Sequence, residues 1–210
     1  MAPPSPAPSP TLYFGFGSNL WLSQMRTRCP SSPYLGIALL PSYTFIINAR
    51  GYANVVYSLS PQNSSSKESR YAHSVYGLVY ALPPTDEAAL DRNEGVPTAY
   101  TKEYLPCDFW AAPEGGGPVD VSVPPTEKGK PMLVYVDRKR VTGGTPKEEY
   151  VFRMNRGIED ALSMGVPRAY VDEVMRKWIP EEKGGKGRKS LEEKAWRQAG
   201  AFVDENVGGG

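Results

Sequence analysis

The chain has 210 residues, and its 24 Lys and Arg against 23 Asp and Glu leave a formal charge of +1, so no overall field recommends a nucleic acid or an acidic membrane surface as partner. That length supports one compact domain with extensions and is too short for two large ones. Two cysteines, Cys29 and Cys107, and one histidine, His73, supply neither a disulfide framework nor zinc-ligand spacing, so no metal or other cofactor is expected and a small molecule is the expected partner.

Residues 1–10, with five prolines, read as a disordered head that lacks the basic start and apolar run of a secretory signal. No stretch approaches the roughly 20 apolar residues of a membrane span, and a cytoplasmic location is expected. Leu12 and Phe14 begin an apolar strand; Gly15 and Gly17 form a tight loop; Leu22 and Met25 then mark a short helix that Pro30 stops. Residues 35–40, 43–49, 54–59 and 74–82 are rich in β-branched and aromatic side chains and read as strands, the last preceded by His73 in the same strand-like run. Residues 60–70 have the polar composition of a mobile loop.

Thr85 is placed to cap a helix over residues 86–94, and Gly95 to end it in the left-handed conformation. Residues 100–109, 119–123 and 132–136 read as further strands between Gly- and Pro-rich turns. Val151, Met154, Ile158 and Leu162 recur at helical spacing up to Gly165, and Pro167 starts a second helix carrying Val171, Val174 and Trp178. Ser190 with Glu193 makes a capping-box pattern for an amphipathic tail helix after the Gly- and Lys-rich residues 183–189. The expected class is α+β, a curved mixed sheet or small β-barrel flanked by helices, with the head at 1–10, the domain at 11–180, and a basic linker and helical extension at 181–210.

The candidate chemistry lies in two segments. Gly15 and Gly17 stand where a strand passes into a helix, so backbone N–H groups can face an anionic ligand, with Ser18 and Asn19 adding side-chain donors and acceptors. A dinucleotide fingerprint is disfavoured, because position 20 is Leu and no acid follows at the required distance. Glu94 ends its helix, where the dipole opposes its charge, and Asp91 precedes it on the same face; both raise its pKa toward that of a useful base. On spacing alone, the loop reads equally as an ordinary tight turn, and Glu94 more readily as a solvated surface carboxylate.

The combination is more specific than its halves. The run Phe14-Gly15-Phe16-Gly17-Ser18-Asn19-Leu20, followed by Leu90-Asp91-Arg92-Asn93-Glu94-Gly95-Val96 and Tyr100, resembles the γ-glutamylcyclotransferase family over about residues 12–180. The resemblance implies a γ-glutamylcyclotransferase-like fold, Glu94 as the catalytic residue, and a substrate wall from Tyr13, Phe14, Gly15, Phe16, Gly17, Ser18, Asn19 and Leu20 together with Tyr100 and Tyr150. It implies release of 5-oxoproline when the α-amine of a γ-glutamyl group attacks its own γ-carbonyl. Substrates in such families are γ-glutamyl amino acids, glutathione, γ-glutamyl amines or, in fungal secondary metabolism, glutathione-derived conjugates; the alternative is a non-catalytic ligand-binding module of the same fold. This chain departs from the family's usual Y-G-S-N by having Phe16, which lacks the hydroxyl, and from its usual G-x-Y at Ala99-Tyr100.

Overall fold

A computed structural model describes residues 9–58, 69–182 and 188–200. The proline-rich head up to residue 8, most of the polar loop and residues 183–187 of the basic linker lie outside the described residues, as do Phe202 and Val203.

Among the described residues seven strands form in chain order: β1 (Thr11–Gly15), β2 (Tyr34–Pro41), β3 (Tyr43–Ile47), β4 (Ala53–Tyr57), β5 (Ser74–Leu82), β6 (Thr101–Ala111) and β7 (Glu127–Val136). Five of them close a barrel in the order β1-β5-β2-β6-β7, antiparallel throughout except where β1 runs parallel to β7 at Tyr13↔Leu133. Closure removes the unpaired edges an open sheet would expose. Phe14, Ile37, Leu40, Leu78, Leu82, Met132 and Val134 are all buried in its core. The expectation of a small barrel in an α+β chain is met.

The remaining pair, β3 and β4, is a separate two-stranded hairpin. Two asparagines bind it to the end of β7. Asn54 accepts from the Asp137 backbone N–H at 2.9 Å and donates to the Asp137 carbonyl at 2.8 Å, and Asn48 donates to the Asp137 carboxylate at 3.1 Å. These fully satisfied buried amides fix where the hairpin's Ala53 end lies.

Among the described residues five helices flank the barrel: α1 (Leu22–Arg28), α2 (Pro84–Asn93), α3 (Glu148–Met164), α4 (Arg168–Glu173) and α5 (Arg188–Gly200). Gly95 and Gly165 take left-handed φ values of 63° and 110° and terminate α2 and α3, as their positions led one to expect. A single 3₁₀ turn, Ser18–Leu20, joins β1 to α1. Gly157 of α3 lets that turn approach, since a Cβ there would stand 2.9 Å from Cβ of Leu20.

Several local expectations are corrected. Residues 119–123 form no strand: the Val119 N–H donates to the Met164 carbonyl, and the backbone N–H and hydroxyl of Ser122 both donate to the Asp120 carboxylate, which uses donors a ladder would need. Thr85 does not cap α2, because Pro83 is the N-cap and Pro84 already occupies the first turn, a position proline suits. The helix after Pro167 breaks into α4 and a 3₁₀ turn at Met175–Lys177, with Trp178 beyond it. His73 sits in the turn before β5, its Nδ1 sharing a 2.9 Å hydrogen bond with Ser58 Oγ. α5 begins ahead of Ser190, so that residue lies inside the helix and not at its cap.

Candidate active site

One pocket gathers both sequence segments. It encloses about 480 Å³, its open mouth included, and its lining includes Tyr13, Phe16, Gly17, Ser18 and Asn19 together with Glu94, Tyr100 and Tyr150. Phe14, Gly15 and Leu20 do not line it: Phe14 and Leu20 are buried in the core, and Gly15 pairs with Leu78 inside the barrel.

Glu94 follows α2 as its C-cap, its N–H bonded to the Leu90 carbonyl at 2.8 Å. Asn19 Nδ2 donates to Glu94 Oε1 at 3.2 Å and to the Tyr13 hydroxyl at 2.8 Å. The orientation of that amide follows from its other end, where Oδ1 accepts from Gln24 Nε2 at 2.8 Å and from Arg28 at 3.2 Å. Burial pushes the Glu94 carboxyl above the usual carboxylate range, opposed by Arg28, the Asn19 hydrogen bond, Arg153 and Arg50 in that order. The expected direction is met but its cause differs. Asp91 faces away, ion-paired with Lys102 at 3.0 Å and accepting from the Tyr135 hydroxyl at 2.7 Å.

The loop also meets its ligand space differently from expectation. The N–H of Ser18 donates to the Tyr150 hydroxyl, those of Leu20 and Trp21 to carbonyls within the 3₁₀ turn, and that of Leu22 to the Asp160 carboxylate at 2.8 Å. The start of α1 is therefore neutralised by Asp160, and positive charge reaches the pocket from arginine side chains instead. Gly17 has φ −101°, a value open to other residues; glycine is needed there because a Cβ would stand 2.9 Å from the Tyr150 hydroxyl.

Arg28 and Arg153 both line the pocket, and sequence reading passed over them. Arg153 forms a two-point ion pair with Glu149 at 2.9 and 3.2 Å, donates to Ser18 Oγ at 3.1 Å, and lies 5.0 Å from the centre of the Tyr150 ring. Burial, aided by the like charge of Arg153, draws the Arg28 guanidinium down to about 10. The Glu149/Arg153 spacing was visible in the sequence, but i,i+4 pairs usually mark a solvated face. Tyr52, Ala53, Asn93 and Tyr135 complete the lining.

The Tyr150 oxygen accepts from the N–H groups of Ser18 at 3.3 Å and Ala53 at 3.2 Å, while the Tyr100 hydroxyl donates to the Ala53 carbonyl at 2.9 Å. Burial pushes Tyr150 up to about 12, so it stays protonated at neutral pH. Cys29 and Cys107 are buried free thiols, each pushed up to about 12 by burial and without the character of a nucleophile. Among the described residues there is no cluster of metal-binding side chains, and no helix is long and apolar enough to cross a membrane.

No family model and no curated protein matches the chain. Solved structures do. An uncharacterized protein from Homo sapiens is 21% identical, with 89% of this chain and 98% of that one covered at a TM-score of 0.60. A structure named gamma-glutamyl cyclotransferase is 20% identical, covered 89% and 98%, at a TM-score of 0.59. The chain has the γ-glutamylcyclotransferase-like fold. YkqA from Bacillus subtilis shares it over 83% of this chain and 56% of its own, at 16% identity and a TM-score of 0.57. In this chain the loop after β1 and the residue after α2, where the sequence motifs fall, both line the pocket, together with residues of α1, β4, β7 and α3.

Proposed function

We propose that the chain is a cytoplasmic γ-glutamylcyclotransferase, releasing 5-oxoproline from a γ-glutamyl compound by attack of the α-amine on its own γ-carbonyl. The observation that carries this reading is Glu94: a half-buried residue whose desolvated carboxyl has a raised pKa, held by a neutral amide at the wall of a pocket that also contains two arginines.

A γ-glutamyl group presents an α-ammonium, an α-carboxylate and a γ-amide. The ammonium cannot attack until it loses a proton, and Glu94 accepts it. The nitrogen then bonds to the γ-carbon, closing a five-membered ring. The bond from that carbon to the outgoing nitrogen breaks as Glu94 returns the proton to it, and the second proton shed by the ring nitrogen passes to the released amine, which leaves as an ammonium. No water is consumed and no electrons leave the system. Arg28 and Arg153 supply the positive potential for the α-carboxylate. Both acceptor positions of the Tyr150 oxygen are occupied by backbone N–H groups, which leaves its O–H to donate to the developing oxyanion. Tyr13, Phe16, Gly17, Ser18, Asn19 and Tyr100 form the wall that folds the glutamyl chain so that amine and carbonyl meet. Phe14, Gly15 and Leu20 hold the loop from behind.

The test is 5-oxoproline release from γ-glutamyl-alanine, glutathione, a γ-glutamyl amine and a glutathione S-conjugate, with an N-acetylated γ-glutamyl compound as control. Turnover of at least one free-amine substrate and none of the control is expected. Release of N-acetylglutamate from the control would make the protein a hydrolase, and binding without turnover across the panel would make it a binding module.

A further inference from the structure

The guanidinium of Arg28 faces two ways. Nε donates to the Ala199 carbonyl at 2.7 Å and Nη2 to the Gln198 carbonyl at 2.8 Å, both in the last turn of α5, while Nη1 donates to Asn19 Oδ1 at 3.2 Å in the pocket. The last carbonyls of a helix have no partner within it and carry the negative end of its dipole, so a forked cation suits them. Asn19 is the residue whose amide meets Glu94. With Oδ1 held by Arg28 and Gln24, its Nδ2 must face Glu94 and Tyr13.

α5 is seated by apolar packing as well. Ala195 and Ala199 are fully buried against Trp21 and Phe152, and the Trp196 ring centre lies 4.5 Å from that of Trp21. Trp21 directly follows the 3₁₀ turn that bears Ser18 and Asn19. The tail helix thus touches the site by two routes, one polar through Arg28 and one apolar through Trp21.

We infer that α5 is a positioning element of the active site: through Arg28 it fixes the Asn19 amide and the charge that faces Glu94. This inference rests on the cyclotransferase reading only for its effect on turnover; the linkage from α5 to Glu94 stands on geometry alone. Positive charge also reaches Glu94 from Arg153 on α3 and from Arg50 beyond β3, and neither depends on α5. The tyrosines facing it, Tyr13 on β1, Tyr135 on β7, Tyr100 and Tyr150, all have raised pKa values and stay neutral, as does Cys29. Releasing α5 therefore takes away the anchor of one identifiable charge, that of Arg28, whose guanidinium is then no longer fixed beside Asn19 and Glu94, and Glu94 titrates at higher pH.

The experiment places a charge under the helix in the full chain with Ala195→Glu, and follows two readouts. One is the titration of Glu94 by carboxyl-carbon NMR, assigned with Glu94→Gln. The other is the pH profile of kcat/KM for 5-oxoproline release. The expected result in the folded variant is a higher Glu94 pKa, an acid limb of the rate profile displaced in the same direction, and kcat/KM reduced at least about tenfold. Unchanged titration together with an unchanged profile overturns the inference. Should wild type release no 5-oxoproline while the titration still moves, the cyclotransferase reading falls and the role of α5 holds. If Ala195→Glu does not fold, Trp196→Ala, which removes only a half-exposed ring, is measured in the same two ways with the same deciding outcomes.

Discussion

The Asn19 amide donates to Glu94 at 3.2 Å, so a direct partner of this desolvated carboxylate is a neutral group and not a cation. A neutral donor lowers a carboxyl pKa less than a close ion pair does, and burial wins. Asn19→Ala removes a hydrogen bond to the charged form, and the Glu94 pKa is expected to rise further. The acid limb of the kcat/KM profile should move to higher pH; a limb that stays in place would mean that Asn19 does not tune the base.

The same raised pKa has a cost for stability. Between the unfolded and folded pKa values of Glu94 the folded state holds more protons than the unfolded one, so this group's contribution to stability falls as pH rises through that window. Glu94→Gln removes the penalty while keeping an acceptor for Asn19. Thermal unfolding should give a higher Tm for the variant at neutral pH, by about 2–4 °C per kcal/mol recovered, and no difference near about pH 4. A lower Tm at neutral pH would show that the ionised carboxylate stabilises the fold.

Tyr150→Phe leaves the N–H groups of Ser18 and Ala53 without their acceptor. Two buried donors lost in this way are expected to cost about 1–3 kcal/mol each if no water replaces the oxygen. Turnover should also drop, by about 10–10²-fold, because the proposed oxyanion donor is gone. Denaturant unfolding and steady-state kinetics separate the two effects; loss of stability with full turnover would confine Tyr150 to a structural role.

At Gly17 the constraint is space. A valine Cβ would meet the Tyr150 hydroxyl at 2.9 Å and the Ala53 side chain at 3.1 Å, so Tyr150 must move. Gly17→Val should raise KM more than it lowers Tm, since the displaced hydroxyl lies at the pocket wall. Isothermal titration with a non-reactive γ-glutamyl analogue checks this, and unchanged affinity in a folded variant would make the loop an ordinary turn.

The sequence singled out Gly17 and Glu94 through the resemblance that their two segments carry together; on spacing alone the loop read equally as a tight turn and the glutamate more readily as a solvated carboxylate. The structure sets both at one pocket, while Gly15 lies inside the barrel. Arg28 and Arg153 carry no such mark. Each looks like one more basic residue on a helix, and only the approach of α5 to Arg28 and of Ser18 to Arg153 turns them inward. The barrel's closing pair, Tyr13 with Leu133, joins strands with most of the domain between them, and no local pattern announces it. Residues 119–123 show the opposite failure. Their alternating valines suit a strand, yet the Val123 carbonyl is taken by the Trp110 indole and the Val119 N–H by the Met164 carbonyl. The source of Glu94's raised pKa was likewise misplaced, because Lys102 and Tyr135 turn Asp91 away from it.

Single-turnover release of 5-oxoproline by wild type and Glu94→Gln, on whichever free-amine substrate the panel identifies, bears most directly on the proposed role of Glu94. The amide cannot accept the ammonium proton, so the rate should fall about 10²-fold or more while substrate affinity stays within a few-fold. A folded Glu94→Gln protein that releases 5-oxoproline at close to the wild-type rate would contradict it and take Glu94 out of the chemistry.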